Sequence, residues 1–212
     1  MFILLPFIKL DINLTQIVMR KIFRDDQFND EISQNGFVNI DFIDSTKIKE
    51  FLSVVNSMDV GVSHDDVHID TPFRLSAFNN DSRYKEKIYD TLYSYLRTNI
   101  DSSFLDYEPL VINIFEKLPG DGSVQIHQNP SFVREPEFKS ISVWIPLIDS
   151  KKENGTVGVL KGSHNVFDTM RASNMPYVFE DMASELQDIY FDPIELKVGQ
   201  AVVLDDSVVH WS

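Results

Sequence analysis

Apolar and polar residues alternate along "SQNGFVNIDFID" (33–44) after an Asn-Gly turn, the period of two that a half-buried strand requires. The period then becomes helical. "DSTKIKEFLSVVNSM" puts Ile48, Phe51, Leu52 and Val55 on one face, with Asp44 or Ser45 able to cap its start. "SRYKEKIYDTLYSYLRTNI" (82–100) is a second amphipathic helix, with Ile88, Leu92, Tyr95 and Leu96 on one side. From about Leu110 the chain becomes a series of short β-rich runs: "PLVINIFEKL", "SVQIHQN", "KSISVWIPLI", "GTVGVLKG", "IELKV" and "AVVLDDSVVHWS". Turn signals at Pro119–Gly122, Asn154-Gly155, Gly162 and Gly199 separate them. "ENGTVGVL" after "WIPLIDSKK" reads as a hairpin, and the polar stretch from Val166 to Tyr190 as a lid or a surface helix. Helices first and many short strands after predict a mainly β fold, a sandwich or jelly roll with helices packed outside.

The opening "MFILLPFIKL" is too short to span a bilayer and lacks a basic leader and a cleavage site, so a first strand or buried N-terminal arm is expected. A soluble, cytoplasmic protein is the default. With 212 residues the chain fits one domain, with a helix-rich part over about 1–108 and a β core over about 109–212. The balance of 19 basic against 33 acidic residues gives a formal charge of −14, which repels nucleic acid and anionic membranes. There is no cysteine, so any metal must be held by His, carboxylate, amide or water. Nothing in the sequence sets an oligomeric state.

Candidate chemistry narrows to the five histidines. His64 and His68 fall in the acidic loop "SHDDVHID", and His164 closes a Gly-Ser turn where a bond to local backbone is expected. His127 and His210 instead lie within, or at the end of, β runs. On a strand i and i+2 share a face, so His127 and Asn129 point together and Gln128 points away. Two imidazoles and one oxygen ligand leave positions open for cosubstrate and dioxygen, as non-haem Fe(II) oxygenases need.

In order, "QNGFVNIDFIDSTKIKEFL", "EKLPGDGSVQIHQN", "SISVWIPLIDSKKENGTVGVLKGSH" and "KVGQAVVLDDSVVHWS" resemble the phytanoyl-CoA dioxygenase-like family of Fe(II)/2-oxoglutarate oxygenases. The resemblance implies a double-stranded β-helix, the cupin-like jelly roll. It implies His127, Asn129 and His210 as the metal-binding and catalytic set, and it places Trp144 and Ser212 against 2-oxoglutarate. Asn113 and Lys117 would line the same mouth. Two departures follow. Asn129 stands where the family has an acid; Glu135 is read as a solvent-facing or loop-anchoring residue, with a substitute ligand as the alternative. The family's basic residue for the far carboxylate of 2-oxoglutarate lies beyond the distal histidine, so the chain reads as truncated at its C-terminus unless Lys117 or Lys161 serves. The expected activity is hydroxylation of a small molecule by an Fe(II)/2-oxoglutarate-dependent dioxygenase. Two rivals remain: a catalytically degenerate jelly roll that only binds a ligand, and a metal-dependent isomerase or hydrolase.

Overall fold

Strand β1 (Phe2–Lys9) runs through the middle of the main sheet of this computed structural model, which describes residues 2–9, 21–58, 73–117, 124–135, 138–167, 171 and 180–212. On one side it pairs with β4 (Tyr107–Pro109) and β5 (Asn113–Glu116), and on the other with β6 (Ile141–Pro146). The sheet is completed by β2 (Phe37–Asp41), β3 (Arg74–Leu75) and β9 (Gln200–Asp205), in the order β2-β9-β6-β1-β5-β3. A smaller sheet has the order β10-β7-β8, from His210–Trp211, Gly158–Val159 and Asp192–Pro193. These pairings are all antiparallel. The N-terminal arm is therefore a strand, and both parts of the chain contribute to one sheet.

The large sheet is covered on both faces, which is why its strands read as nearly continuous apolar runs. Ile141, Val143, Ile145, Ala201 and Val203 pack with the helices in one cluster. Their alternates Trp144, Val202 and Leu204 pack with Val157, Val159 and Leu196 of the smaller layer in another. Period-two alternation thus sorts each strand between a helix-facing side and an inter-sheet side. The helical layer comprises α1 (Asp26–Asn35), α2 (Ile48–Asn56) and α3 (Ser82–Ser103), and α4 (Ala183–Tyr190) lies further along the chain. Among the described residues no helix is long and apolar enough to cross a membrane.

Several expectations change. Helix α1 was not evident from apolar periodicity, because Ile32 is its one buried residue. Its signals are its caps: Asp25 accepts from the Gln27 N–H, and Gly36 closes the helix at φ 83°. The Asn35-Gly36 pair is therefore a helix stop, with β2 following. Asp44 bonds the N–H and hydroxyl of Thr46 in a turn before α2, and the helix itself starts after Lys47 without a side-chain cap. In α3 the buried stripe is Ile88, Leu92, Leu96 and Ile100, at strict four-residue spacing. Tyr95 sits beside the stripe with its hydroxyl 3.4 Å from Glu50. The expected hairpin at 144–160 does not form, since β6 and β7 belong to different sheets. The run "AVVLDDSVVHWS" divides into β9 and β10 at a turn closed by Val208 N–H to Asp205 O, 2.9 Å. The Val166–Tyr190 stretch ends in α4, where Ile189 and Tyr190 are exposed; residues 168–170 and 172–179 lie outside the described residues, as do His64, His68 and Pro119–Gly122.

Candidate active site

The turn at Asp205–Val208 carries the chain from the large sheet to the small one. An aspartate at its first position suits it, because Asp205 Oδ1 accepts from the Ser207 N–H at 2.9 Å. Lys139 holds the same carboxylate at 2.7 Å. Beyond the turn, His210 and His127 exchange both backbone hydrogen bonds, each 2.9 Å. Ser212 and Val124 continue the pairing. Neighbouring residues alternate, so Ile126 and Val209 join an outer cluster with Phe191, and the two histidines turn the other way. Their ring centroids are 4.3 Å apart, at 51° between planes.

Hydrogen bonding fixes the chemical state of both rings. His127 Nδ1 lies 2.7 Å from Gln125 O, and His210 Nδ1 lies 2.9 Å from Val208 O. A carbonyl oxygen only accepts, so each Nδ1 carries the proton and each Nε2 keeps a lone pair. Burial lowers both pKa values, and that of His210 falls to about 3, with the neighbouring His127 as the second cause. Two neutral imidazoles with oriented lone pairs suit a divalent cation, whose histidine ligands characteristically donate the other N–H to a carbonyl or carboxylate.

Asn129 follows two residues on, and its side chain approaches the His127 ring. Its amide nitrogen donates to Ser142 Oγ at 3.2 Å and to Asp206 Oδ1 at 3.1 Å. Asp206 is fully buried and also accepts from the Ser142 hydroxyl at 2.6 Å and from the Ser140 hydroxyl. Among the described residues no three His, Asp or Glu side chains converge as a metal-holding group, so an oxygen ligand beside the imidazoles would be the Asn129 amide.

The sequence reading missed Asp206 and the two serines. A signal was present, since Asp205-Asp206 interrupts an apolar run, and aspartate is rarely buried unless partnered. Burial is the main reason the Asp206 pKa rises, to about 6. In the metal-free protein its effect opposes that of His210. As pH falls from 6.5 toward 3, the unfolded chain binds a proton that folded His210 refuses, and stability drops by about 1.4 kcal/mol per pH unit. Between pH 6 and 3.8 folded Asp206 takes up a proton before its unfolded counterpart does, and stability rises. Asp206→Asn removes that offset. Urea midpoints should therefore show the variant losing ground to the unsubstituted protein on acidification from pH 7 to 4.5, by up to about 2 kcal/mol. A pH-independent difference would refute this assignment.

The other candidate residues divide by position. Asn113 and Trp144 are both buried, and both register with Leu4 across β1, which places them level on either side of that strand. Trp144 packs in the inter-sheet cluster. Ser212 shares strand parity with His210 and is buried. Lys117 is half-buried, with its amine so near Gly155 that a Cβ there would stand 2.9 Å from Nζ, and burial lowers its pKa. Lys161 is exposed. Glu135 pairs with the buried guanidinium of Arg171, which makes it a loop anchor. His164 reaches far from its own turn: its Nε2 lies 2.9 Å from Ser33 O, tying "KGSH" to the end of α1.

Comparison with known proteins gives this geometry a context. The family model for phytanoyl-CoA dioxygenase (PhyH) matches residues 35–212. A phytanoyl-CoA dioxygenase domain-containing protein 1 homolog of Dictyostelium discoideum is 32% identical over 138 residues, 61% of this chain and 46% of that protein. The phytanoyl-CoA dioxygenase domain-containing protein 1 of Danio rerio is 34% identical over 104 residues, 45% of this chain and 36% of that protein. The matches thus span less than half the length of these curated relatives. Among solved structures, the fold is similar to the non-heme alpha ketoglutarate dependent carbocyclase SnoK from nogalamycin biosynthesis (TM-score 0.54, 16% identity, 88% of this chain and 76% of that one). It is also similar to HygX from Streptomyces hygroscopicus, crystallised with nickel, 2-oxoglutarate and hygromycin B (TM-score 0.53, 16% identity, 88% and 80%). These enzymes have the jelly-roll fold.

Proposed function

The chain belongs to the phytanoyl-CoA dioxygenase family, and on that premise we propose that it is an Fe(II)/2-oxoglutarate-dependent dioxygenase that hydroxylates a small molecule. The observation that carries the proposal is the imidazole pair: two neutral rings in contact, each with its Nδ1 proton committed to a carbonyl. In this reading His127 Nε2, His210 Nε2 and Asn129 Oδ1 would hold the metal. Trp144 forms a rigid wall for 2-oxoglutarate, and the Ser212 hydroxyl and the Asn113 amide offer hydrogen bonds to its carboxylates. Lys117 is the cation for the far carboxylate, as a point charge in place of a bidentate guanidinium. Bound there, Fe(II) would supply oxidation of a substrate C–H bond by dioxygen, coupled to conversion of 2-oxoglutarate to succinate and carbon dioxide. The chain's own part is to hold both imidazoles neutral with Nε2 free, orient the cosubstrate and keep the site between two packed sheets.

Anaerobic addition of Fe(II) and then 2-oxoglutarate should produce a visible charge-transfer band, and admission of air should release succinate. Absence of both would overturn the reading. The neutral Asn129 favours one alternative, a ligand-binding jelly roll without turnover. That alternative requires a metal-independent rise in Tm with ligand, since binding to the folded state alone stabilises it.

A further inference from the structure

We propose that Asp206 is the positioning residue for Asn129: with Ser142 it holds the amide so that Oδ1 turns toward the imidazole pair, and it places a carboxylate one hydrogen bond behind that oxygen. The inference rests on the metal-site reading above. A lone asparagine at the third position would be ambiguous, because its amide can be turned either way and presents a donor as readily as an acceptor. Here the surroundings remove the ambiguity. The single Ser142 proton is given to Asp206 at 2.6 Å, so toward Asn129 the Ser142 oxygen has only lone pairs to offer. Asp206 receives donors from Ser140, Ser142 and Asn129, which satisfies it as a carboxylate. The Asn129 NH2 must therefore face these two groups, and its carbonyl oxygen must face away from them, on the side where the side chain meets His127.

The backbone fixes this network as firmly as the side chains do. Ser140 and Ser142 flank Ile141 at the start of β6, with Ile141 in the helix-facing core, so both hydroxyls turn to the inter-sheet side. The Asp206 N–H donates to Ser140 O at 3.1 Å, which seats the turn against β6. The negative charge absent from position 129 is thus present in the adjacent shell and reaches the amide oxygen through a polarised N–H.

A variant cycle read by Mn(II) titration calorimetry tests the proposal, since Mn(II) binding needs no turnover. Asp206→Asn should weaken Mn(II) binding about 10–100-fold, as loss of a group supporting a metal ligand does. Asn129→Asp puts two carboxylates in contact, one of which takes up a proton. In that background Asp206→Asn should instead strengthen binding, because it relieves the clash and returns an amide donor to the pair. A residue that merely maintains the fold would weaken binding in both backgrounds, so a reversal of sign supports the proposal and its absence overturns it. Should the single Asp206→Asn protein not fold, the sign in the Asn129→Asp background decides. Failure of the unsubstituted protein to bind Mn(II), with or without 2-oxoglutarate, would overturn the metal-site reading along with this one. Normal binding that is indifferent to Asp206 would overturn this one alone.

Discussion

His210→Ala is expected to lower divalent-metal affinity by at least about 100-fold, more than the loss of any supporting group. His210 is buried, it shares a ring contact with His127, and its Nε2 is left open by the bond from Nδ1 to Val208 O. The backbone groups that pair it with His127 survive the substitution, so β10 should stay in register. Circular dichroism should then report a folded protein while Mn(II) calorimetry reports no measurable heat. Binding retained within threefold would remove His210 from the metal set and transfer the burden to residues outside this pair. Asn129→Ala should cost less, because a neutral amide oxygen is a weaker donor to a transition metal than an imidazole nitrogen.

Phe104→Ala should be the most damaging single change to the fold. Phe104 ends α3, is 1% exposed, and meets Phe23 at 5.2 Å, Phe42 at 6.3 Å and Tyr107 at 6.4 Å between ring centroids. It also bridges to Phe23 through the backbone. Removing a fully buried phenyl ring typically costs about 3–5 kcal/mol, transfer and cavity terms together. Against a typical total of about 5–15 kcal/mol, that is enough to unfold a marginal domain near 37 °C. Urea denaturation at 25 °C should show a lower midpoint at unchanged slope. A loss below about 1 kcal/mol would mean that the aromatic cluster repacks freely.

The legible parts of the sequence were those in which one period dominated. The stripe Ile88, Leu92, Leu96 is visible without coordinates, and β6 and β9 are visible as apolar runs, though not their division between two buried faces. The apolar opening segment could be read as strand, though not as a central one, because pairing partners about a hundred residues or more away leave no local trace. Helix α1 escaped because one buried isoleucine gives no periodicity and its evidence lies in caps. The false hairpin at 144–160 followed from a correct local signal: Gly155 does take a left-handed turn, at φ 86°, but it passes the chain between sheets. At the candidate site, strand parity put His127 and Asn129 on one face, the end of a β run singled out His210, and the resemblance made the three a metal set. None of these pointed to Asp206, Ser140 and Ser142, whose importance arises from packing three segments together. A buried carboxylate looks ordinary among 33 acidic residues until its neighbours are known.

The central place of β1 has a consequence for the order of biosynthesis. Phe2 pairs with Pro146 and Phe7 with Ile141, so the first strand leaves the ribosome long before its β6 partner exists. At about 5–20 residues per second the interval is roughly 7–30 seconds. For most of that time, until β4 and β5 follow, an apolar segment with open hydrogen-bonding edges has no native sheet to join. Holdase chaperones that recognise short apolar stretches would find their natural target there, and the yield of folded protein should depend on their supply more than its final stability would suggest.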